Sequence, residues 1–297
     1  MKDRPLIFEL FGHAVLADAL ARAADADRGR LTVRRFPDEE SYLRYESDVR
    51  DRDVVLAANL SRPDGHIPAL LFAAATATEL GARSVTLMTP YLPYMRQDHR
   101  FLSGEAVTSR IFANLVCAHF DALVTVDPHL HRYAALEEIY SIPAQRVCAA
   151  PAIAQWVRTH VRNPVLVGPD SESEQWVAAV ARLADAPWCV SHKTRNGDRD
   201  VAVAVPDLSM WHDRTPVVLD DIISSGRTMI EAVQHVRAAL PSPPVCIGVH
   251  AVFADNAYDA LRAAGAARIV TTDTLPHRSN GIPLAGMLAE GLARTRV

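Results

Sequence analysis

The alternation of short apolar runs with amphipathic stretches constrains this chain more than any other feature. Leu6 to Leu10, Val54 to Leu60, Val85 to Thr89 and Leu123 to Val126 are rich in Leu, Ile and Val, as strands buried on both faces are. Between them, Ala14 to Ala24, Ile67 to Leu80 and Val107 to His119 place apolar residues at helical spacing. Leu16, Leu20 and Ala24 make one such stripe. Strand, helix, strand repetition predicts an α/β fold of mainly parallel sheets flanked by helices, because a parallel crossover has to pass over the sheet face.

The rhythm restarts after Pro143. Helices are predicted at Ala152 to Val161, Glu174 to Ala184, Thr228 to Leu240 and Ala257 to Ala264. Strands are predicted at Val165 to Gly168, Trp188 to Ser191, Val201 to Val205, Val217 to Leu219, Val245 to Val252 and Arg268 to Thr272. Two halves of similar rhythm predict two domains, 1–145 and 146–297, and 297 residues suffice for two cores of common size. Pro241-Ser242-Pro243-Pro244 is too short for a domain linker and reads as a turn. Leu288 to Val297 reads as a final helix or a loose tail.

Charge and cysteine content narrow the function classes. A net charge of −4 and a pI near 6.3 supply no basic field, so neither a nucleic-acid nor a membrane partner is expected. Cys117, Cys148, Cys189 and Cys246 are widely separated, form no CxxC pair, and read as reduced core residues. The first apolar stretch is cut by Glu9, too early for a signal-peptide core, and Ala69 to Ala75 is too short to span a bilayer. A cytoplasmic location is the expectation.

One turn concentrates chemistry. Val217-Val218-Leu219 leads into Asp220 and Asp221, followed by Ser224, Ser225, Gly226, Arg227 and Thr228 at the start of a predicted helix. Such a turn lies at the carboxyl edge of a sheet, where open α/β sheets bind ligands. The hydroxyls, the glycine and the helix N-terminus suit a phosphate monoester, while the two carboxylates can accept from the vicinal hydroxyls of a ribose. The alternative is plain helix capping with aspartates favouring a turn.

These residues resemble the ribose-phosphate loop of phosphoribosyltransferase-type folds, used both by phosphoribosyltransferases and by ribose-phosphate pyrophosphokinases. Other segments resemble the second group. Arg35-Phe36-Pro37-Asp38-Glu39-Glu40 is similar to its Arg-Phe-Pro-Asp-Gly-Glu segment, with Glu39 in place of glycine. By that resemblance Phe36, Asp38 and Glu40 contact adenine in a neighbouring subunit's site, which implies a homodimer or larger assembly. Pro90 to Asp98, continued by Phe101, Gly104-Glu105-Ala106 and Arg110, resembles the ATP-holding segment, in a form closer to the short archaeal-type members. Arg96, Gln97 and Asp98 would hold the nucleotide.

Val124-Thr125-Val126-Asp127-Pro128-His129 resembles the family's magnesium-binding Asp-Leu-His, which makes His129 a metal ligand by position, with His131 a second exposed histidine. Leu166-Val167-Gly168-Pro169-Asp170 resembles the segment whose aspartate supports metal or ribose, so Asp170 joins the metal set. The family's Gly-Gly is replaced there within Ser171-Glu172-Ser173-Glu174. Ser191 to Arg199 resembles the catalytic flexible loop with its Lys-x-Arg pattern, which assigns Lys193 and Arg195 to the stabilisation of the transferring group. Read without the resemblance, it is an exposed basic hairpin.

The segments fall in family order along nearly the whole chain. The resemblance therefore implies transfer of pyrophosphate from ATP to the 1-hydroxyl of ribose 5-phosphate with Mg²⁺ as cofactor. ATP would bind on the N-terminal side, and ribose 5-phosphate on the C-terminal side at Asp220, Asp221 and Ser224 to Thr228. The alternatives are a phosphoribosyltransferase that consumes the product and a catalytically silent, synthetase-associated regulatory subunit.

Overall fold

The computed structural model describes residues 4–196, 200–204 and 208–295, and for His192–Asn196 and Asp200–Ala204 it describes the backbone alone. The chain divides into two compact units, Met1–Val147 with Ala285–Val297, and Cys148–Leu284.

The first unit runs β1 (Leu6–Leu10), α1 (Ala14–Ala23), β2 (Asp27–Arg28), β3 (Leu31–Arg35), β4 (Ser41–Tyr45), β5 (Asp53–Ala58), α2 (Ile67–Glu79), β6 (Ser84–Met88), α3 (Thr108–His119), β7 (Ala122–Val126) and β8 (Ala144–Val147). Its six-stranded sheet has the order β2-β1-β5-β6-β7-β8, with every pair parallel. Leu6, Phe8 and Leu10 alternate toward one face, where they join Leu70, Ala73 and Ala77 of α2 and Phe112 and Val116 of α3 in one core. Each fully buried Leu or Phe there stabilises the unit by roughly 1.5–3 kcal/mol.

The second unit runs α4 (Ala150–His160), β9 (Pro164–Gly168), α5 (Glu174–Ala184), β10 (Trp188–Val190), β11 (His192–Asn196), β12 (Asp200–Ala204), β13 (Thr215–Ile222), α6 (Arg227–Ala239), β14 (Val245–His250), α7 (Ala257–Ala263), β15 (Arg268–Thr272) and β16 (Asn280–Ile282). The sheet order β10-β9-β13-β14-β15-β16 is again wholly parallel. Val165, Val167, Val218 and Cys246 pack against Met229, Val233 and Val236 of α6 and Leu261 of α7.

The two units therefore repeat one topology. In each, the second strand lies outside the first, an antiparallel hairpin is inserted before the third, and the chain returns across the first strand. The hairpins are β3–β4 and β11–β12. The C-terminal segment is a helix, α8 (Ala285–Arg294), and it packs on α1, β7 and β8 of the first unit. Among the described residues no helix is long and apolar enough to cross a membrane.

All four cysteines are free, but only Cys246 is buried. Cys117 and Cys189 are half-buried, and Cys148, expected in the core, is exposed at the start of the second unit.

Candidate functional site

Strand order reverses between β9 and β13 in the second unit, and both strands end in acids at their carboxyl edge. Asp170 follows β9, while Asp220 and Asp221 close β13. Asp220 accepts the backbone N–H of Asp221 at 3.0 Å. Withdrawal from water pushes the Asp220 carboxyl well above the ordinary carboxylate range, and the neighbouring Asp221 and Asp170 carboxylates push it the same way. Three carboxyls gathered at one edge are a donor set that suits a hard, oxygen-seeking divalent cation.

Beyond Ile222 the chain turns through Ile223, Ser224 and Ser225 into α6. Gly226 occupies the capping position at φ 72, a left-handed conformation that glycine adopts without a Cβ penalty. No serine or threonine fills that position, and no side chain caps the helix from it. The first turn of α6 presents its N–H groups to the same edge.

The segment that departs from the family pattern is folded upon itself. The Asp170 carboxylate accepts the N–H of Glu172 at 3.1 Å, and the Ser173 hydroxyl donates to the Asp170 carbonyl at 2.6 Å. The Ser173 N–H also reaches that carbonyl, at 3.2 Å. Two amides that an anion could use are thereby satisfied internally.

In the first unit Arg96, Gln97 and Asp98 follow β6. The turn into them is made by Tyr94 at φ 64, whose hydroxyl donates to Asp64 at 2.6 Å; burial and Asp64 together raise its pKa. The Gln97 carbonyl accepts the N–H of Ser109 at 3.3 Å, and the Asp98 carboxylate lies 3.4 Å from the guanidinium of Arg132. Tyr133, buried, donates to the Asp98 carbonyl at 3.2 Å and stands 3.3 Å from the Ser109 hydroxyl and 3.4 Å from Arg110 Nε. Tyr133 was not distinguishable in the sequence, since it sits in a polar segment without periodicity. The Phe-x-x-Gly-Glu-Ala run is a local knot: Glu105 accepts the N–H groups of Phe101 and Leu102 at 2.8 and 3.0 Å.

His129 follows β7, the strand next to β6, and its Nδ1 is 3.1 Å from Nε2 of His131. Asp127 precedes it, fully buried at φ 31 and paired with Arg146 of β8 at 3.1 Å. Phe36, Asp38 and Glu40 occupy the exposed tip joining β3 and β4, in a two-stranded sheet of their own. Asp38 accepts the N–H of Glu40 at 3.4 Å, and Arg34 lies over both Phe36 and Tyr42, at 4.8 and 4.0 Å. Glu39, in the glycine position of the family pattern, has φ 69.

Lys193 and Arg195 lie on β11, opposite Val203 and Val201 of β12. Both residues thus lie on one strand of a hairpin, while their side chains lie outside the described part of the structure.

Comparison with known proteins accords with this layout. A family model for the N-terminal domain of ribose phosphate pyrophosphokinase matches residues 6–119, and one for the phosphoribosyl transferase domain matches residues 135–286. The chain is 32% identical over 280 residues to a ribose-phosphate pyrophosphokinase of Methanopyrus kandleri, covering 93% of this chain and 94% of the relative. It is 31% identical over 265 residues to one of Sulfolobus acidocaldarius, covering 87% and 89%. The crystal structure of phosphoribosylpyrophosphate synthetase from Mycobacterium smegmatis superposes with a TM-score of 0.85 at 25% identity, covering 98% of each chain.

Proposed function

The chain belongs to the ribose-phosphate pyrophosphokinase family, and we propose that it transfers the pyrophosphoryl group of ATP to the 1-hydroxyl of ribose 5-phosphate, giving 5-phosphoribosyl 1-pyrophosphate and AMP. The observation that carries the reading is the gathering of Asp170, Asp220, Asp221 and the hydroxyl turn at the strand reversal of the second sheet.

In this reading the amides of the first turn of α6 and the hydroxyls of Ser224, Ser225 and Thr228 receive the 5-phosphate, and Arg227 adds a cation beside it. Asp220 and Asp221 accept from the ribose hydroxyls and so orient the anomeric oxygen. That oxygen attacks the β-phosphorus of ATP; the bond from the β-phosphorus to the oxygen bridging the α-phosphate breaks, AMP leaves, and the hydroxyl proton is released. Lys193 and Arg195 balance the negative charge that develops on the transferring group and on the leaving phosphate. Arg96, Gln97 and Asp98, with Phe36, Asp38 and Glu40 of a second copy, hold the nucleotide, which makes the enzyme at least a homodimer.

Magnesium, when bound, neutralises phosphate charge and aligns the oxygens of ATP. Asp170 and His129 are the residues assigned to it. The crowded carboxyls around Asp220 suit the ion, and the imidazole is the softer of the assigned donors. Incubation with ATP, Mg²⁺ and ribose 5-phosphate is expected to yield AMP and 5-phosphoribosyl 1-pyrophosphate in equal amounts. Formation of ADP instead would identify a sugar kinase and overturn the proposal.

A further inference from the structure

Three backbone hydrogen bonds tie the hydroxyl turn to the end of β14 and the loop that follows it. Ile223 N–H donates to the His250 carbonyl at 3.1 Å, and the N–H groups of Phe253 and Ala254 donate to the carbonyls of Ile223 and Ser224 at 2.8 and 3.1 Å. Where a Cβ on Gly226 would stand, the Ala257 methyl lies 3.6 Å away and its carbonyl oxygen 3.7 Å away. The turn therefore takes its shape from residues 250–257.

That loop is held in a conformation its residues do not favour. Phe253 has φ 36 and Asp255 φ 51, both left-handed and neither glycine. The Phe253 ring is clamped by two others: its centroid is 4.5 Å from His277 and 5.4 Å from Tyr258, and the latter two are 5.1 Å apart. Arg278 lies over Tyr258 at 4.1 Å and pairs with Asp259 at 2.6 Å. His277 is oriented in turn by Ser279, whose N–H donates to its Nδ1 at 3.1 Å and whose hydroxyl lies 2.7 Å from the same atom. The Ser279 hydroxyl is anchored 2.8 Å from that of buried Thr271 on β15. A ring whose position is over-determined can impose a backbone conformation that its own preference opposes.

We propose that Phe253 is a positioning residue for the sugar phosphate. Its ring, fixed by His277 and Tyr258, keeps Phe253 in the left-handed conformation from which the N–H groups of 253 and 254 set the carbonyls of Ile223 and Ser224, and with them the hydroxyls at 224 and 225. The inference rests on the reading of this turn as the ribose 5-phosphate site. Loss of the ring allows Phe253 to return to negative φ, withdrawing both N–H groups. A residue that merely fills space would lower stability and leave the affinity of the folded protein unchanged.

The test uses the full chain, with ribose 5-phosphate titrated calorimetrically and the KM for ATP measured beside it. Phe253→Ala keeps the left-handed penalty without the clamp, and its Kd for ribose 5-phosphate is expected to rise about tenfold at unchanged ATP KM. Phe253→Gly adopts the same φ without penalty and is expected to stay within about threefold of the parent. His277→Ala, which leaves Phe253 in place, is expected to raise Kd about threefold and serves if the Phe253 variants do not fold. Phe253→Ala and Phe253→Gly variants that behave alike, a parental Kd in folded Phe253→Ala or His277→Ala, or an equal loss of ATP affinity would overturn the proposal. A parent protein that does not bind ribose 5-phosphate would overturn the site assignment itself, a result separable from all of these.

Discussion

The hydroxyl of Tyr133 donates to the carbonyl oxygen of Asp98 across 3.2 Å, while Ser109 and Arg110 of α3 converge on the same hydroxyl. One phenol thus joins the Arg96–Asp98 segment to the start of a helix. Tyr133→Phe removes that link without emptying the pocket its ring fills. Loss of one such buried hydrogen bond costs about 1 kcal/mol of stability. The KM for ATP is expected to rise several-fold in steady-state kinetics, with the KM for ribose 5-phosphate unchanged.

Glu39 sits at φ 69, which costs a side chain with a Cβ about 1–2 kcal/mol. Its compensation is one exposed ion pair with Arg35 at 3.8 Å, and such pairs contribute about 0–1 kcal/mol. The backbone penalty is the larger. Glu39→Gly is expected to raise stability by about 0.5–1 kcal/mol in chemical denaturation, with Glu39→Asn in between. A loss of stability would show that the hairpin tip draws more from the carboxylate than from its backbone.

A Cβ on Gly168 would stand 2.4 Å from the Ser173 hydroxyl and 3.1 Å from a Val190 methyl. Gly168→Ala is accordingly expected to cost about 1–3 kcal/mol by overpacking and to weaken Mg²⁺ binding by displacing Asp170. Adding Ser173→Gly removes the closer of the two clashes. The double variant is expected to recover part of both losses in a thermodynamic cycle, and strict additivity would exclude the clash as the cause.

Of the 31 lysines and arginines only Lys2 and Lys193 are lysine, in a chain that otherwise meets every need for positive charge with arginine. A compact ammonium with rotatable donors differs from a planar guanidinium fork, so Lys193→Arg is not a conservative change. Lys193→Ala is expected to lower kcat about 10²–10³-fold, the loss typical of a removed charge-stabilising donor. Lys193→Arg should recover only part of it, and calorimetry should find ribose 5-phosphate affinity unchanged in both. Parental turnover in either variant would remove Lys193 from the reaction.

The central strands and the helices were legible because burial on both faces forces long apolar runs: β1, β6, β7 and β9 fall within about a residue of their expected limits, as do α1, α3 and α5. What escaped lies at sheet edges. Asp27–Arg28, Ala144–Val147 and Asn280–Ile282 are short and carry no apolar run, and only pairing with an inner strand makes them strands. The β3–β4 hairpin escaped for the same reason, since most of its side chains are partly or fully exposed. At the candidate site, the Asp220–Thr228 turn stood out because its groups are consecutive in sequence. Tyr133 and Phe253 act through contacts with residues far from them along the chain, and no local pattern marks such residues.

Because α8 returns to lie on α1, β7 and β8, the second unit is spliced into the first between β8 and α8. Gly291 of that helix approaches Val147 so closely that a Cβ there would stand 2.7 Å from a valine methyl. On the ribosome, the unit begun first is thus finished last: the sheet of residues 6–147 emerges with one flank uncovered and stays so until the intervening unit has been synthesised. The apolar side of β7 and β8 is then the surface most exposed to premature association, and shortening the chain before Ala285 would damage the N-terminal half rather than the half that lost residues.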